Sequence, residues 1–223
     1  MKLTNIITGM LLLAAPCASG QQTAPQDAQP VHTATIYKKG DNGFDTYRIP
    51  ATVRTKKGTV LAFAEARKHS RSDTGDIDLV LRRSTDGGRT WGDIITVWDD
   101  AGNVCGNPAP VVDRETGRIL LLSTWNDGTD HEKDIHARTA KDTRRVFVLY
   151  SDDDGLTWSS PREITPSVKR EDWTWYATGP CHAIQLQKGR HKGRIVVSCN
   201  HGLFKDGKGA GSYSHLIYSD DHG

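Results

Sequence analysis

Two arginines, an aspartate and an asparagine stand where side chains can do chemistry. Arg48 lies inside the short apolar run Tyr47-Arg48-Ile49-Pro50. A guanidinium is permanently charged and presents a planar fork of donors, which suits bidentate recognition of a carboxylate. The plainer alternative is a solvated arginine at the start of a strand. Arg67 closes an apolar run and should face the same region. Asp73 sits in the polar loop His69-Ser70-Arg71-Ser72-Asp73-Thr74-Gly75, between two strand-like runs. Loops at strand ends are where rigid scaffolds present catalytic groups. A carboxyl group there can give a proton and later take one, provided its pKa is tuned toward the working pH. Asp76 and Asp78 compete for that role, and a turn-forming Asp explains the residue without chemistry. Asn107 precedes Pro108, where an Asn-Pro turn also accounts for it.

Metal chemistry finds little support. His131 and His136 flank Glu132 in a pattern that resembles a metalloprotease helix, but they are five residues apart rather than four and would not share a helix face. The segment reads as a polar loop. Cys105, Cys181 and Cys199 lack the close spacing of a zinc site and read as small buried hydrophobes, with room for one disulfide.

The elements that must hold these residues are visible as a repeat. Ser84-Thr85-Asp86-Gly87-Gly88-Arg89-Thr90-Trp91 recurs as Ser151-Asp152-Asp153-Asp154-Gly155-Leu156-Thr157-Trp158, and again from Ser219 to Gly223. The copies start at 84, 151 and 219, which is 67 and 68 residues apart. Strand-like runs precede them at 78–83, 145–150 and 214–218. Earlier in each unit a turn with Gly58, Gly117 or Gly193 opens another apolar run. The middle unit carries about eight extra residues, for which the polar stretch 126–144 is the natural place. Four strands per unit, in series and without helical periodicity, predict β-propeller blades, each burying its faces on its neighbours. In the repeated turn, Asp86 and Asp154 are expected to accept backbone N–H groups and Ser84 and Ser151 to back-bond. Gly88 and Gly155 should take a positive φ, and Trp91 and Trp158 should pack on the blade. A calcium loop is excluded because Leu156 stands at a ligand position and Thr157 at the required turn glycine.

The chain has 223 residues, 25% of them charged, with a formal net charge of +2. Near-balance of charge argues against a nucleic-acid partner. Residues 1–20 read as a secretory signal, with Lys2, an apolar stretch from Ile6 to Ala15 and a small-residue cleavage site at Ala18-Ser19-Gly20, too short for a membrane span. An exported protein, periplasmic or secreted, follows. Cys17 as a lipidated cysteine is the alternative, though Pro16 is atypical for that signal. Residues 21–32, with Pro25 and Pro30, read as a flexible linker, and 33–223 as the folded region.

These motifs resemble those of the sialidase (neuraminidase) superfamily. The repeated Ser-x-Asp-x-Gly-x-Thr-Trp is similar to its Asp-box, and Tyr47-Arg48-Ile49-Pro50 to its Phe/Tyr-Arg-Ile-Pro motif. Ala64-Glu65-Ala66-Arg67 followed six residues later by Asp73 resembles the exo-sialidase segment holding a second arginine and the acid/base aspartate. Residues 175–186 resemble a third-blade segment, with Cys181 and Ala183 as small departures. The resemblance implies an all-β, six-bladed propeller of which about three blades lie in this chain. It implies an exo-α-sialidase that hydrolyses terminal α-linked sialic acids from sialylated glycans, glycoproteins or glycolipids, as a monomer without metal or organic cofactor. On that reading Arg48 is one of three arginines that bind the substrate carboxylate. Asp73 is the acid/base, Arg67 contacts substrate near the ring hydroxyls, and Asn107 contacts the sugar. Trp125, Trp173, Trp175 and Tyr176 either line the pocket or form inter-blade core. Sialidases use a tyrosine nucleophile. By family pattern that Tyr, its Glu partner and two more arginines lie in later blades, so residues 1–223 alone are expected to be half a propeller without turnover. A non-catalytic Asp-box propeller that binds glycans or proteins is the rival expectation.

Overall fold

The computed structural model describes residues 31–223, and the readings of residues 1–30, Cys17 included, lie outside them. Residues 34–223 form one compact unit. Its first blade is an antiparallel meander of β1 (Thr46–Arg54), β2 (Val60–Arg67), β3 (Ile77–Ser84) and β4 (Ile95–Trp98). The second repeats it with β5 (Val104–Val112), β6 (Ile119–Asn126), β7 (Arg145–Ser151) and β8 (Arg162–Glu163). In the third, β9 (Trp173–Thr178) and β10 (Ile184–Gln185) pair in succession along β11 (Ile195–Lys205), which pairs with β12 (Lys208–Ser219). The first strands of the blades, β1, β5 and β9–β10, lie against one another. This is the blade order that the repeat predicts.

Strand periodicity explains how one sheet serves two interfaces. Successive side chains point to opposite faces. On β6, Ile119 and Leu121 join Leu61, Phe63, Leu79 and Leu81 of the first blade, whereas Leu120 and Leu122 join Tyr176, Ile195 and Val197 of the third. The run Ile119–Leu122 is therefore apolar throughout, because both of its faces are covered.

The Asp-boxes are self-contained turns. Asp86 Oδ1 accepts the N–H groups of Arg89 and Thr90 at 3.0 and 2.9 Å, and Thr90 Oγ1–H reaches Asp86 Oδ2 at 2.7 Å. In the second copy these bonds belong to Asp153, not to Asp154 as the sequence reading had it. Asp153 Oδ1 accepts Leu156 and Thr157 N–H at 3.0 and 2.9 Å. Asp154 instead turns to the first blade, where Thr59 Oγ1 and Arg83 Nη2 donate to Oδ2 at 2.5 and 2.9 Å. One residue of frame separates a turn-former from a cross-blade tie. Gly88 and Gly155 do take positive φ, at 91° and 81°. Trp158 meets Phe63 edge-on at 5.6 Å, packing on the neighbouring blade.

Two further differences from the sequence reading concern loops and sulfur. The β6–β7 connection contains helix α1 (Glu132–Ala137), and α2 (Thr165–Val168) lies between β8 and β9. With six and four residues, they are too short to show a helical period. Cys105 and Cys199 are buried as expected, but Cys181 is exposed and none of the three is bonded to another. Among the described residues no helix is long and apolar enough to cross a membrane.

Candidate active site

The innermost strands share a local irregularity that shapes the site. Ile49, Asn107 and Gly179 each take a positive φ (53°, 53° and 73°), and each is followed by proline. The β1–β2 register shifts between Arg48 and Ala51, and the β5–β6 register between Gly106 and Ala109. Proline brings no N–H to the ladder, and a bulge re-aims the side chains beside it. A β-branched residue such as Ile49 adopts this conformation only where its surroundings impose it. The strain sits directly after Arg48.

Arg48 Nη1 donates to Asp73 Oδ1 at 2.7 Å and to Arg71 O at 3.3 Å. Its other guanidinium nitrogens take no protein partner among the described residues, and its side chain is 37% exposed. Asp73, 58% exposed, is the most open member of the group. The same Oδ1 lies 2.8 Å from Arg67 Nη2. Arg67 is buried at the end of β2 and committed to the loop: Nη1 donates to Arg71 O at 2.7 Å and Ser72 O at 2.6 Å, and Nη2 to Glu65 Oε2 at 2.5 Å. Only its Nε lacks a partner. The structure thus brings Arg48, Arg67 and Asp73 into one cluster. Asp76 and Asp78 turn away, to Lys68 Nζ at 2.9 and 3.4 Å. Together with Asp99 they offer three carboxylates within 4.8 Å of one another, but the Lys68 ammonium already occupies the place a cation would take.

Sequence reasoning missed two members of the site. Glu65 is buried opposite Arg48 in the ladder and joins the blades. Its Oε2 receives Arg67, and its Oε1 receives the Asn107 backbone N–H at 2.9 Å. A Cβ on Gly106 would lie 2.7 Å from Glu65 Oε1, so any other residue there would have to displace that carboxylate. The second is Arg144, buried just before β7. It donates to Asn107 Oδ1 at 2.5 Å, to Thr124 Oγ1 at 3.2 Å and to Asn126 Oδ1, and its guanidinium lies 4.0 Å over the Trp175 ring. Burial lowers the Arg144 pKa to about 10, against the favourable charge of Glu65, so it stays protonated at neutral pH. The doubled Arg144-Arg145 before a strand was the one available signal.

Asn107 is held from three blades. Glu65 takes its N–H, Thr124 and Arg144 saturate its Oδ1, and Thr178 Oγ1 donates to its carbonyl at 2.7 Å. That fixes which way the amide points: Oδ1 inward and the Nδ2 donor free. Of the aromatic candidates, Tyr176 is core, Trp175 flanks Arg144, Trp173 stacks on His201 at 3.5 Å, and Trp125 Nε1 donates to Asp100 at 2.6 Å. The assembly offers an exposed carboxylate between two guanidiniums, a half-open arginine fork and an oriented amide donor. Those groups can bind an anion and exchange a proton beside it.

The BNR repeat-like domain family matches residues 58–223. An exo-alpha-sialidase of Aspergillus fumigatus is 37% identical over 164 residues, covering 66% of this chain and 40% of that protein. A sialidase of Micromonospora viridifaciens is 32% identical over 217 residues, covering 89% of this chain and 31% of that protein. The chain spans less than half the length of these relatives. The solved structure of Hadza microbial sialidase Hz136 superposes with a TM-score of 0.71 at 30% identity, covering 82% of this chain and 37% of that one. The intramolecular trans-sialidase of Ruminococcus gnavus does so at 0.67 and 20% identity, over 85% and 61%, a likeness of fold alone.

Proposed function

This chain belongs to the BNR repeat-like family, the Asp-box propellers of the sialidase superfamily, and from there we propose that it supplies the first blades of an exo-α-sialidase. The observation that carries the reading is the placement of exposed Asp73 within 2.8 Å of both Arg48 and Arg67. Arg48 binds the substrate carboxylate with its open fork. Asp73 protonates the leaving oxygen and later activates water. Arg67, expected from the sequence to touch the sugar, is buried and holds Asp73 in place instead, while Asn107 contacts the sugar through its free Nδ2. Retention follows from a tyrosine nucleophile supplied by later blades. The substrates are terminal α-linked sialic acids on glycans, glycoproteins or glycolipids. The protein acts as a monomer after export, without a cofactor.

The test uses the protein that carries this chain together with the remaining blades. The unaltered protein should release sialic acid from an alkyl sialoside. Asp73→Ala should lower that rate by about 10²–10⁴-fold while largely sparing an aryl sialoside whose leaving group needs no proton. Sialoside binding without turnover by the unaltered protein would instead mark a glycan-binding propeller. Equal loss on both substrates would remove the acid role from Asp73.

A further inference from the structure

The insertion in the middle blade begins where the loop of Asp73 ends. We propose that Gly128, in the first turn of that insertion, is a positioning residue for Asp73 and sets the height of the β2–β3 loop from the neighbouring blade. This role rests on the acid/base reading of Asp73.

The loop's own bonds are short-range, joining Ser72 N–H to Ser70 Oγ at 3.1 Å and Ser72 Oγ to Thr74 Oγ1 at 2.7 Å, and do not fix its height. Residues 69–73 are exposed. Arg67 holds the carbonyls of Arg71 and Ser72 from beneath, and Lys68 N–H reaches Asp76 O at 3.1 Å. On the far side of Asp73 the loop is tied across the blade boundary, where Gly75 N–H donates to Gly128 O at 2.7 Å. Gly128 is fixed in turn, since its N–H donates to Asn103 Oδ1 at 3.1 Å. The Asn103 amide is oriented by its own bond from Nδ2 to Asp100 Oδ2 at 2.9 Å, and Trp125 Nε1 donates to that same oxygen at 2.6 Å.

The spacing leaves no slack. A Cβ on Gly128 would lie 1.8 Å from Gly102 O and 3.2 Å from Gly75 O. Gly75 itself takes a φ of 98°. Three connections, β2–β3, β4–β5 and β6–β7, therefore meet backbone to backbone at Gly75, Gly102 and Gly128. Contacts between main chains cannot be relieved by a rotamer change. The severe clash is with Gly102 O, so one added methyl must move either the β4–β5 connection or the turn of Gly128 itself. The first is held by Asn103 O, which accepts the N–H of Ile77 at 3.1 Å, and by the Asp100–Trp125 bond. The turn of Gly128 gives way instead, its carbonyl shifts beneath the Gly75 N–H that it accepts, and the loop carrying Asp73 moves relative to Arg48 and Arg67. A displacement near 1 Å at a catalytic group costs roughly 10²-fold in rate.

The experiment compares Gly128→Ala and Asn103→Ala with the unaltered protein carrying all its blades, on the same alkyl and aryl sialosides. Gly128→Ala should lower kcat/KM on the alkyl sialoside about 100-fold and on the aryl sialoside less than about tenfold, the pattern of a misplaced acid. Asn103→Ala removes the acceptor for Gly128 without adding a clash and should shift the same ratio less far. It decides the matter if the alanine at 128 does not fold. Equal losses on both substrates, or no loss, overturn the role of Gly128 while leaving the sialidase reading in place. An unaltered protein that processes neither substrate overturns both.

Discussion

Glu65 and Asn107 lie 42 residues apart in the chain and are joined by one bond, from the Asn107 backbone N–H to Glu65 Oε1 at 2.9 Å. The other oxygen of the same carboxylate receives Arg67. One buried side chain thus fixes the arginine under Asp73 in the first blade and the bulge that carries Asn107 in the second. The site is assembled across a blade boundary, so its geometry depends on how the two blades dock.

Glu65→Ala tests that junction. It leaves the buried Arg67 guanidinium with the exposed Asp73 as its remaining carboxylate and orphans the Asn107 N–H. Breaking a buried pair by removing one partner costs about 3–5 kcal/mol, and urea unfolding at pH 7 should show a loss of that size. Glu65→Gln keeps the shape and one acceptor and should lose less. A Glu65→Ala variant within about 1 kcal/mol of the parent would mean that the two blades do not rely on this carboxylate.

Arg144 should act on binding rather than on the proton transfer. Its Nη2 keeps Asn107 Oδ1 inward. Lys169 Nζ secures the Arg144 carbonyl at 2.7 Å and the Thr174 carbonyl at 2.5 Å, although burial, with the nearby Arg144 charge, lowers its own pKa to about 7. Arg144→Leu leaves Thr124 Oγ1 alone to hold Asn107 Oδ1 and so loosens the amide. KM for a sialoside should then rise roughly tenfold, the value of one hydrogen bond, with kcat little changed. Arg144→Lys should recover little, because an ammonium cannot serve Asn107, Asn126 and Thr124 from one plane. A drop in kcat at constant KM would assign Arg144 elsewhere.

How far the sequence carried depends on whether a residue's partner is near it in the chain. Arg48, Arg67 and Asp73 lie within 26 residues and a recognisable spacing, and the structure gathers all three. The blades were legible because the Asp-box repeats and strand runs recur at near-constant spacing. Glu65 was in view within Ala64-Glu65-Ala66-Arg67, yet its meaning depends on Asn107 in another blade. Arg144 lies at the end of an insertion whose path no local pattern encodes. Asp153 and Asp154 show the limit at one-residue resolution. Adjacent carboxylates in one turn point to different blades because Asp154 takes a left-handed φ of 67°.

The Asp-box carboxylates should make the fold sensitive to acid. For Asp153, burial pushes the pKa up, but bonds from Thr157, Ser151 and Leu156 outweigh it and hold it at about 2. Unfolded, the group titrates near 3.9. Between those values the unfolded chain binds the proton and the folded one does not, so stability falls as pH drops from about 4 toward 2. Thermal melts across that range should show a shallower pH dependence in Asp153→Asn, with the variant less stable than the parent above pH 5. Parallel curves would mean that the turn tolerates a neutral acceptor.

Asp78 carries the opposite sign. Burial, followed by the charge of Asp99, raises its pKa to about 6, with Lys68 opposing, and its Oδ1 has no hydrogen-bond partner. Between about pH 4 and 6 the folded form therefore holds a proton that the unfolded chain has released, and stability declines as pH rises through this window. A shift of this size corresponds to roughly 2–3 kcal/mol above pH 6. Asp78→Asn removes the buried charge while Asp76 continues to pair with Lys68. Its urea midpoint should exceed that of the parent at pH 7.5 and converge with it near pH 4. A variant less stable than the parent at both pH values would show that the bond from Lys68 outweighs burial, and that the Lys68 cluster holds the base of the Asp73 loop by charge.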